Sequence, residues 1–389
     1  MIYLDHSAAT PLSPEVLKKM MPYLKEQYGN PSSIHALGRK ARAAIEEARS
    51  KLANFTGAAP KEVFFTGGGT EANNWAIFAL AEANKNKGKH IISTQIEHES
   101  VLGPLAKLEK QGMRVTYLKP DKNGIISPAT FKKAITKQTI FASIIYANNE
   151  IGTIQNIPEL TKILRAGTEA LPFHTDACQA TNYLPMKINK LGADLMTINS
   201  GKIYGPKGAG ALIIKTQVAA QISPYLVGGG QEFRKRAGTE NVAAIVGFAE
   251  AISQINPATE TAKTTKLRDH FIKELLKIPG ITLNGDPKKR LPNNVNIKIN
   301  AVASETMLIR LDMVAIAASA GSACSAGALE PSHVLLALGL TKKQAAESIR
   351  FTLGHTTTKS EITEATNAIK EILQSLQNHH SKPRKRATG

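Results

Sequence analysis

The sequence predicts an α/β fold: a large domain with a mostly parallel sheet covered by helices, plus a smaller α+β domain. Three observations lead there. Short apolar runs alternate with helix-period segments between residues 62 and 214, the pattern of a parallel sheet buried on both faces. The pattern changes at Asn256-Pro257. The length, 389 residues, exceeds what one ordinary core holds. The predicted division is a large domain at 15–256, a smaller one made of 1–14 and 257–378, and a basic, disordered tail at 379–389.

Taken in order, Tyr3-Leu4-Asp5 is a short extended piece. Residues 11–28 carry Val16, Met20 and Leu24 at helical spacing. Gly29-Asn30-Pro31-Ser32-Ser33 breaks that helix and supplies caps for a second, with Ala41, Ala44, Ile45 and Leu52 on one side. Strands are predicted at 63–66, 90–94, 115–118, 140–146, 173–176, 195–198 and 211–214. Helices follow the turn 67–71, follow Glu99, and lie near Thr130 and Leu160. Beyond 257 the pattern gives helices at 267–278, 305–311, 332–338 and 360–376. Strands are expected there at 281–283, 295–299 and 315–319, with an extended piece at 350–354. No internal repeat is present.

Composition narrows the function classes. No apolar run is long enough to span a bilayer, and the start, MIYLDHSAATP, lacks the charged and apolar regions of a signal peptide. A cytoplasmic protein without membrane association is expected. Two cysteines, Cys178 and Cys324, do not make a disulfide framework and fit a reducing compartment. The net charge of +18 permits attraction to nucleic acid or acidic proteins without establishing either. Part of it lies in Lys382, Arg384, Lys385 and Arg386.

In α/β sheets ligands collect at the carboxyl ends of strands, and polar residues recur there. Lys202 follows one strand end and precedes a rigid Gly-Pro turn, which suits an amine that forms a Schiff base. The turn 67–70, with Gly69 and the Thr70 hydroxyl, opens a helix whose N–H groups and dipole can hold a phosphate. His98 can stack on a flat ring or carry protons. Asn149 offers an amide. Asp176 at the next strand end would pair with a pyridinium nitrogen, and Gln179 could reach a ring hydroxyl. Together these suggest pyridoxal 5'-phosphate. No metal site is expected. Cys324, among small residues 320–327, reads as a thiol on a mobile loop, active as its thiolate. Cys178 reads as filler on a strand. Arg350 could clamp a carboxylate through two bonds.

The stretches YLDHSAATP, GNPSSIHALGRKAR, FTGGGTEANN, IEHESV, NNEIGTIQ, HTDACQ, KIYGPKGAGAL, GGGQE, RAGTEN, GSACS, LEPSHVL and SIRFTLG occur in that order. With them the chain, from Tyr3 to about Gln374, resembles the NifS/IscS-type cysteine desulfurases of the class V aminotransferase family. The resemblance implies a fold-type-I enzyme that converts L-cysteine to L-alanine. It implies Lys202 as the Schiff-base lysine, His98 stacked on the ring, Asp176 on the ring nitrogen, Gln179 on the ring hydroxyl and Thr70 on the phosphate. Thr239 would reach the phosphate of the other subunit, which implies a homodimer. Asn149 and Arg350 would hold the substrate carboxylate. Cys324 would take the sulfur as a persulfide and pass it to an iron-sulfur scaffold or tRNA-thiolating protein. The sequence departs from the family's usual Ser-x-His-Lys: Asn199-Ser200-Gly201-Lys202 stands there instead. Weaker cofactor retention is expected, with Asn199 and Ser200 contacting the phosphate. The competing readings are a selenocysteine lyase or another pyridoxal-phosphate lyase, a non-catalytic dimeric scaffold, and an RNA-binding protein suggested by the charge.

Overall fold

The computed structural model describes residues 1–167, 171–321 and 331–381. Its first strand, β1 (Ile2–Tyr3), is followed by helices α1 (Pro14–Lys25) and α2 (Ala36–Thr56). The helix expected from residue 11 starts at Pro14, because Ser13 stands at the cap and a proline is best tolerated in the first turn. Next come β2 (Val63–Thr66), α3 (Gly69–Asn84), β3 (His90–Thr94) and α4 (Glu99–Lys110). Then follow β4 (Arg114–Leu118), β5 (Thr139–Ser143), β6 (Phe173–Asp176), β7 (Leu195–Asn199) and β8 (Gly210–Ile214).

These strands form a seven-stranded sheet in the order β2-β8-β7-β6-β5-β3-β4. It is parallel except at β8, which runs antiparallel to both neighbours. The connection from β7 to β8 carries no crossover helix, so the chain returns beside the strand it has just left. Side chains alternate between two cores. Val63, Phe65, Ile92, Met196 and Ile198 join one apolar cluster with Ile45, Leu52 and Phe248. Phe64, Ile91, Leu195 and Leu212 face the other, around Trp75 and Leu80 of α3. Both faces are therefore dry, which is why the strands read as continuous apolar runs.

The C-terminal part contains β9 (Ile281–Leu283), β10 (Asn294–Ile299), β11 (Ile316–Ala317) and β12 (Ser348–Thr352). Strands β12-β10-β9 form an antiparallel sheet. It shares an apolar cluster with Phe271 of helix Pro257–Leu275 and Ile362 and Ile369 of helix Lys359–Ser381. Ile2 and Leu4 belong to that cluster, and β1 pairs in parallel with β11. The last helix runs to Ser381, three residues into the tail expected to be disordered. The remaining tail residues, 382–389, lie outside the described residues. Among the described residues no helix is long and apolar enough to cross a membrane.

Candidate active site

At the carboxyl edge of the sheet, β2 ends in a tight turn and α3 begins at Gly69. Gly68 adopts φ 151°, ψ −179°, a conformation open essentially to glycine alone. The first turn of α3 thereby presents its N–H groups and the Thr70 side chain to a cavity of about 660 Å³. Asn199, Gly201, Lys202 and Lys207 line the same cavity. A smaller cavity of about 180 Å³ adjoins it and shares Gly69, Thr70, Asn199 and Lys202.

His98, Asn149, Asp176, Gln179 and Arg350 line that smaller space. Asp176, at the end of β6, is 5% exposed. Its Oδ1 accepts from the Cys178 N–H at 2.9 Å and its Oδ2 from Asn73 Nδ2 at 2.7 Å. The same Asn73 amide donates to Ser100 Oγ at 2.8 Å. Ser100 Oγ in turn lies 2.8 Å from His98 Nδ1, which also accepts the Ser100 N–H at 3.1 Å. With Nδ1 accepting, the neutral imidazole carries its proton on Nε2. One network thus joins the carboxylate to the imidazole through Asn73.

Lys202 lies in the short helical turn Ser200–Lys202 after β7. Its Nζ donates to the carbonyls of Ser7 at 2.7 Å and Ala8 at 2.6 Å. Gln179 Nε2 donates to the same Ser7 carbonyl at 3.0 Å. The N-terminal segment is fastened to the lysine turn by Thr10, whose N–H and hydroxyl both donate to Gly201 O at 3.2 Å. Arg350 on β12 is 1% exposed. It donates to Asn149 O at 3.0 Å and to Asp5 Oδ1 at 2.8 Å, while its Nε has no partner among the described residues. A buried, unsatisfied guanidinium N–H beside a cavity is suited to an anion.

The structure brings together nine predicted site residues: Gly69, Thr70, His98, Asn149, Asp176, Gln179, Asn199, Lys202 and Arg350. Three others are not in this group. The Ser200 hydroxyl lines neither cavity; it is buried against Gly205, where a Cβ would stand 2.1 Å from Oγ. Thr239 is exposed and lines neither cavity. Cys324 lies outside the described residues. Cys178 sits in the turn after β6 rather than on the strand. Burial, and then the charge of Asp176, hold its thiol well above the usual range, so it stays protonated.

Sequence reasoning missed Asn73, Ser100 and the carbonyls of Ser7 and Ala8. Asn73 was within reach, since it follows Thr70 by three residues in one helix and so shares its face. Glu97 was read only as His98's neighbour. It is fully buried, with Oε1 accepting from Thr94 Oγ1 at 2.7 Å and Ile145 N at 2.9 Å. Burial pushes its carboxyl up to about 8, and the charge of Asp176 adds to the rise.

The chain matches the aminotransferase class-V family model over residues 2–364. It belongs to the class-V aminotransferase family. Among its relatives in that family is a cysteine desulfurase IscS of Dictyoglomus turgidum, 48% identical over 378 residues, covering 96% of this chain and 95% of that one. Another is a cysteine desulfurase IscS of Methanosarcina thermophila, 46% identical, covering 97% and 93%. Among solved structures, a NifS-like protein superposes with a TM-score of 0.90 at 32% identity, over 96% of this chain and 99% of that one. A structure described as SspA in complex with cysteine gives 0.81 at 33%, over 91% and 99%. The seven-stranded sheet flanked by helices is thus the fold-type-I arrangement of class-V aminotransferases, a family of pyridoxal-phosphate-dependent enzymes. The donor set fits that cofactor. It contains a helix N-terminus for a phosphate, a buried carboxylate for a ring nitrogen and a lysine amine for an aldehyde.

Proposed function

We propose that the chain is a pyridoxal-phosphate-dependent cysteine desulfurase, converting L-cysteine to L-alanine and handing the sulfur to an acceptor protein. The observation that carries the reading is the meeting of Lys202, Asp176 and Arg350 around one small cavity, in a chain nearly half identical to a protein named cysteine desulfurase. Nothing favours a selenocysteine lyase, a scaffold without chemistry or an RNA-binding protein over it.

When bound, pyridoxal phosphate supplies an aldehyde for amines and a ring that withdraws electrons from the substrate's α-carbon. The chain's residues would do the rest. The first turn of α3, Thr70 and Asn199 hold the phosphate. Asp176, kept in place by Asn73, stabilises a protonated ring nitrogen, and Gln179 faces the ring hydroxyl. His98, held through Nδ1 by Ser100, would face the ring and could offer a proton at Nε2. Arg350, with Asn149, holds the carboxylate of cysteine. The Lys202 amine takes and returns the α-proton. The Cys324 thiolate attacks the substrate sulfur: an S–S bond forms as the Cβ–S bond breaks. The carbon keeps the electron pair and gains a proton, giving alanine and a persulfide.

The wider assignments are of the same kind. A homodimer, with Thr239 reaching the partner's phosphate, is supported by the exposure of Thr239 outside its own cavities. A distinct apolar cluster of Ile2 and Leu4 with residues between Phe271 and Leu373 supports the division into 15–256 and 1–14 with 257–378, while Ile96 and Ile151 pack across it against Val334 and Leu335. The relatives named cysteine desulfurase support a sulfur-accepting partner, for which an iron-sulfur scaffold or a tRNA thiolase is our proposal, and the two cysteines fit a cytoplasmic setting. The test is incubation with cysteine and pyridoxal phosphate, assaying alanine and sulfide, with Lys202→Ala and Cys324→Ser as controls. Alanine formation that survives Lys202→Ala would overturn the reading. Faster turnover of selenocysteine that also survives Cys324→Ser would favour the lyase.

A further inference from the structure

We propose that Lys207 is the cation of the phosphate-binding end of the site, reaching it through the space that Gly201 leaves open. The proposal rests on the cofactor reading above and adds a residue to it.

Position comes first. A Cβ built on Gly201 would find Lys207 Cγ at 3.6 Å, Lys207 Cα at 3.8 Å and Asn199 Oδ1 at 3.9 Å. The stem of Lys207 therefore passes over the residue that carries no side chain. Lys207 lines the larger cavity together with Thr70, Asn199 and the start of α3. Its backbone is set by Pro206 before it and by Gly208, at φ 80°, after it.

Charge decides the role. A bond from a cation adds more to the binding of a phosphate dianion than another neutral donor does. Lys202 Nζ faces the Ser7 and Ala8 carbonyls and is the amine reserved for the aldehyde. Arg236 is engaged with Glu71 at 2.9 and 3.2 Å, and Glu71 also takes the Gly67 N–H at 2.8 Å. Asn199 spends its Oδ1 on Gly201 N at 3.2 Å, so its amide offers only a neutral donor. Lys207 lines the cavity and has no carboxylate partner within ion-pair distance among the described residues. Where the family's usual histidine is replaced by Gly201, a lysine six residues further on serves the phosphate end of the ligand.

The experiment measures cofactor binding by equilibrium dialysis, using pyridoxal phosphate and, as the probe lacking phosphate, pyridoxal. The proteins are the wild type, Lys207→Met, and Lys207→Met combined with Gly201→His. The Lys207→Met variant is expected to bind pyridoxal phosphate about 10- to 100-fold more weakly, the range for one lost bond to a charged group. Pyridoxal binding should be unchanged, and the added histidine should recover part of the loss. Because Lys207 is exposed, raising the salt should weaken wild-type binding more than that of the variant. Equal pyridoxal phosphate affinity in wild type and variant would overturn the proposal, as would equal losses for both ligands. A wild-type chain that retains no pyridoxal phosphate, and takes no borohydride-fixed label on Lys202, would instead overturn the functional reading itself.

Discussion

At Glu97, burial and hydrogen bonding pull in opposite directions, and burial wins. Two donors favour the anion, yet the carboxyl is pushed to about 8 against an ordinary value near 4.5. The native state therefore binds a proton that the unfolded chain releases between those values. Stability from this group is full below the unfolded value and falls as pH rises towards about 8. Replacing Glu97 by Gln is expected to flatten the decline in urea-denaturation stability across that window. An unchanged slope would count against it. Asn73 is the second residue whose role depends on others. Its two N–H groups bridge Asp176 and Ser100. Asn73→Ala should lower pyridoxal phosphate affinity about tenfold or more, since it removes a bond to a charged carboxylate. Titration of the visible absorbance band tests this, and wild-type affinity would refute it.

Among the elements, α2 and the segment after residue 230 are joined by a buried ion pair that supports the phosphate turn. Arg49 donates to Glu232 through two bonds, at 2.8 and 2.9 Å, and its guanidinium lies about 5 Å from the rings of Phe65 and Phe233. Glu232 also accepts the Phe65 N–H at 2.8 Å, on the strand that leads into Gly68. Its backbone sits at φ 44°, a strained region that the pair holds in place. Glu232→Ala removes the buried carboxylate partner of Arg49 and leaves the arginine the more exposed Glu46 at 3.2 Å and the Val63 carbonyl at 2.6 Å. A loss of about 3 kcal/mol is expected by chemical denaturation. A loss below about 1 kcal/mol would contradict the buried-pair account. The apolar runs made β2 to β8 legible as strands, and Phe173–Asp176 and His90–Thr94 have the bounds expected. The antiparallel course of β8 was not legible, because an apolar run looks the same in either direction.

In the whole molecule, the N-terminal residues tie the two sheets to the site. Thr352 N donates to Leu4 O, and Ser7 N to Thr352 Oγ1, so the segment runs along β12 before its carbonyls reach Lys202. Arg350, on the same strand, is clamped by Asp5. Arg350→Lys should raise KM for cysteine by about 10-fold or more with little change in bound cofactor, because an ammonium cannot reproduce the planar fork. Unaltered KM in steady-state alanine assays would remove Arg350 from substrate binding.

The sequence alone determined which chemistry-bearing residues stand at strand ends, since that depends on local periodicity and turn residues. Lys202, Asp176, His98 and the turn at 67–70 were found this way. Only the tertiary structure decided which of them have partners and which face away. Asn73 and Asp176 are 103 residues apart, and Ser7 and Lys202 are 195 apart. Ser200 and Gly201 are adjacent, yet one hydroxyl turns into the protein while the neighbouring gap is crossed by Lys207. Such pairings arise when distant segments close on one another, and no local pattern of apolar and polar residues encodes them.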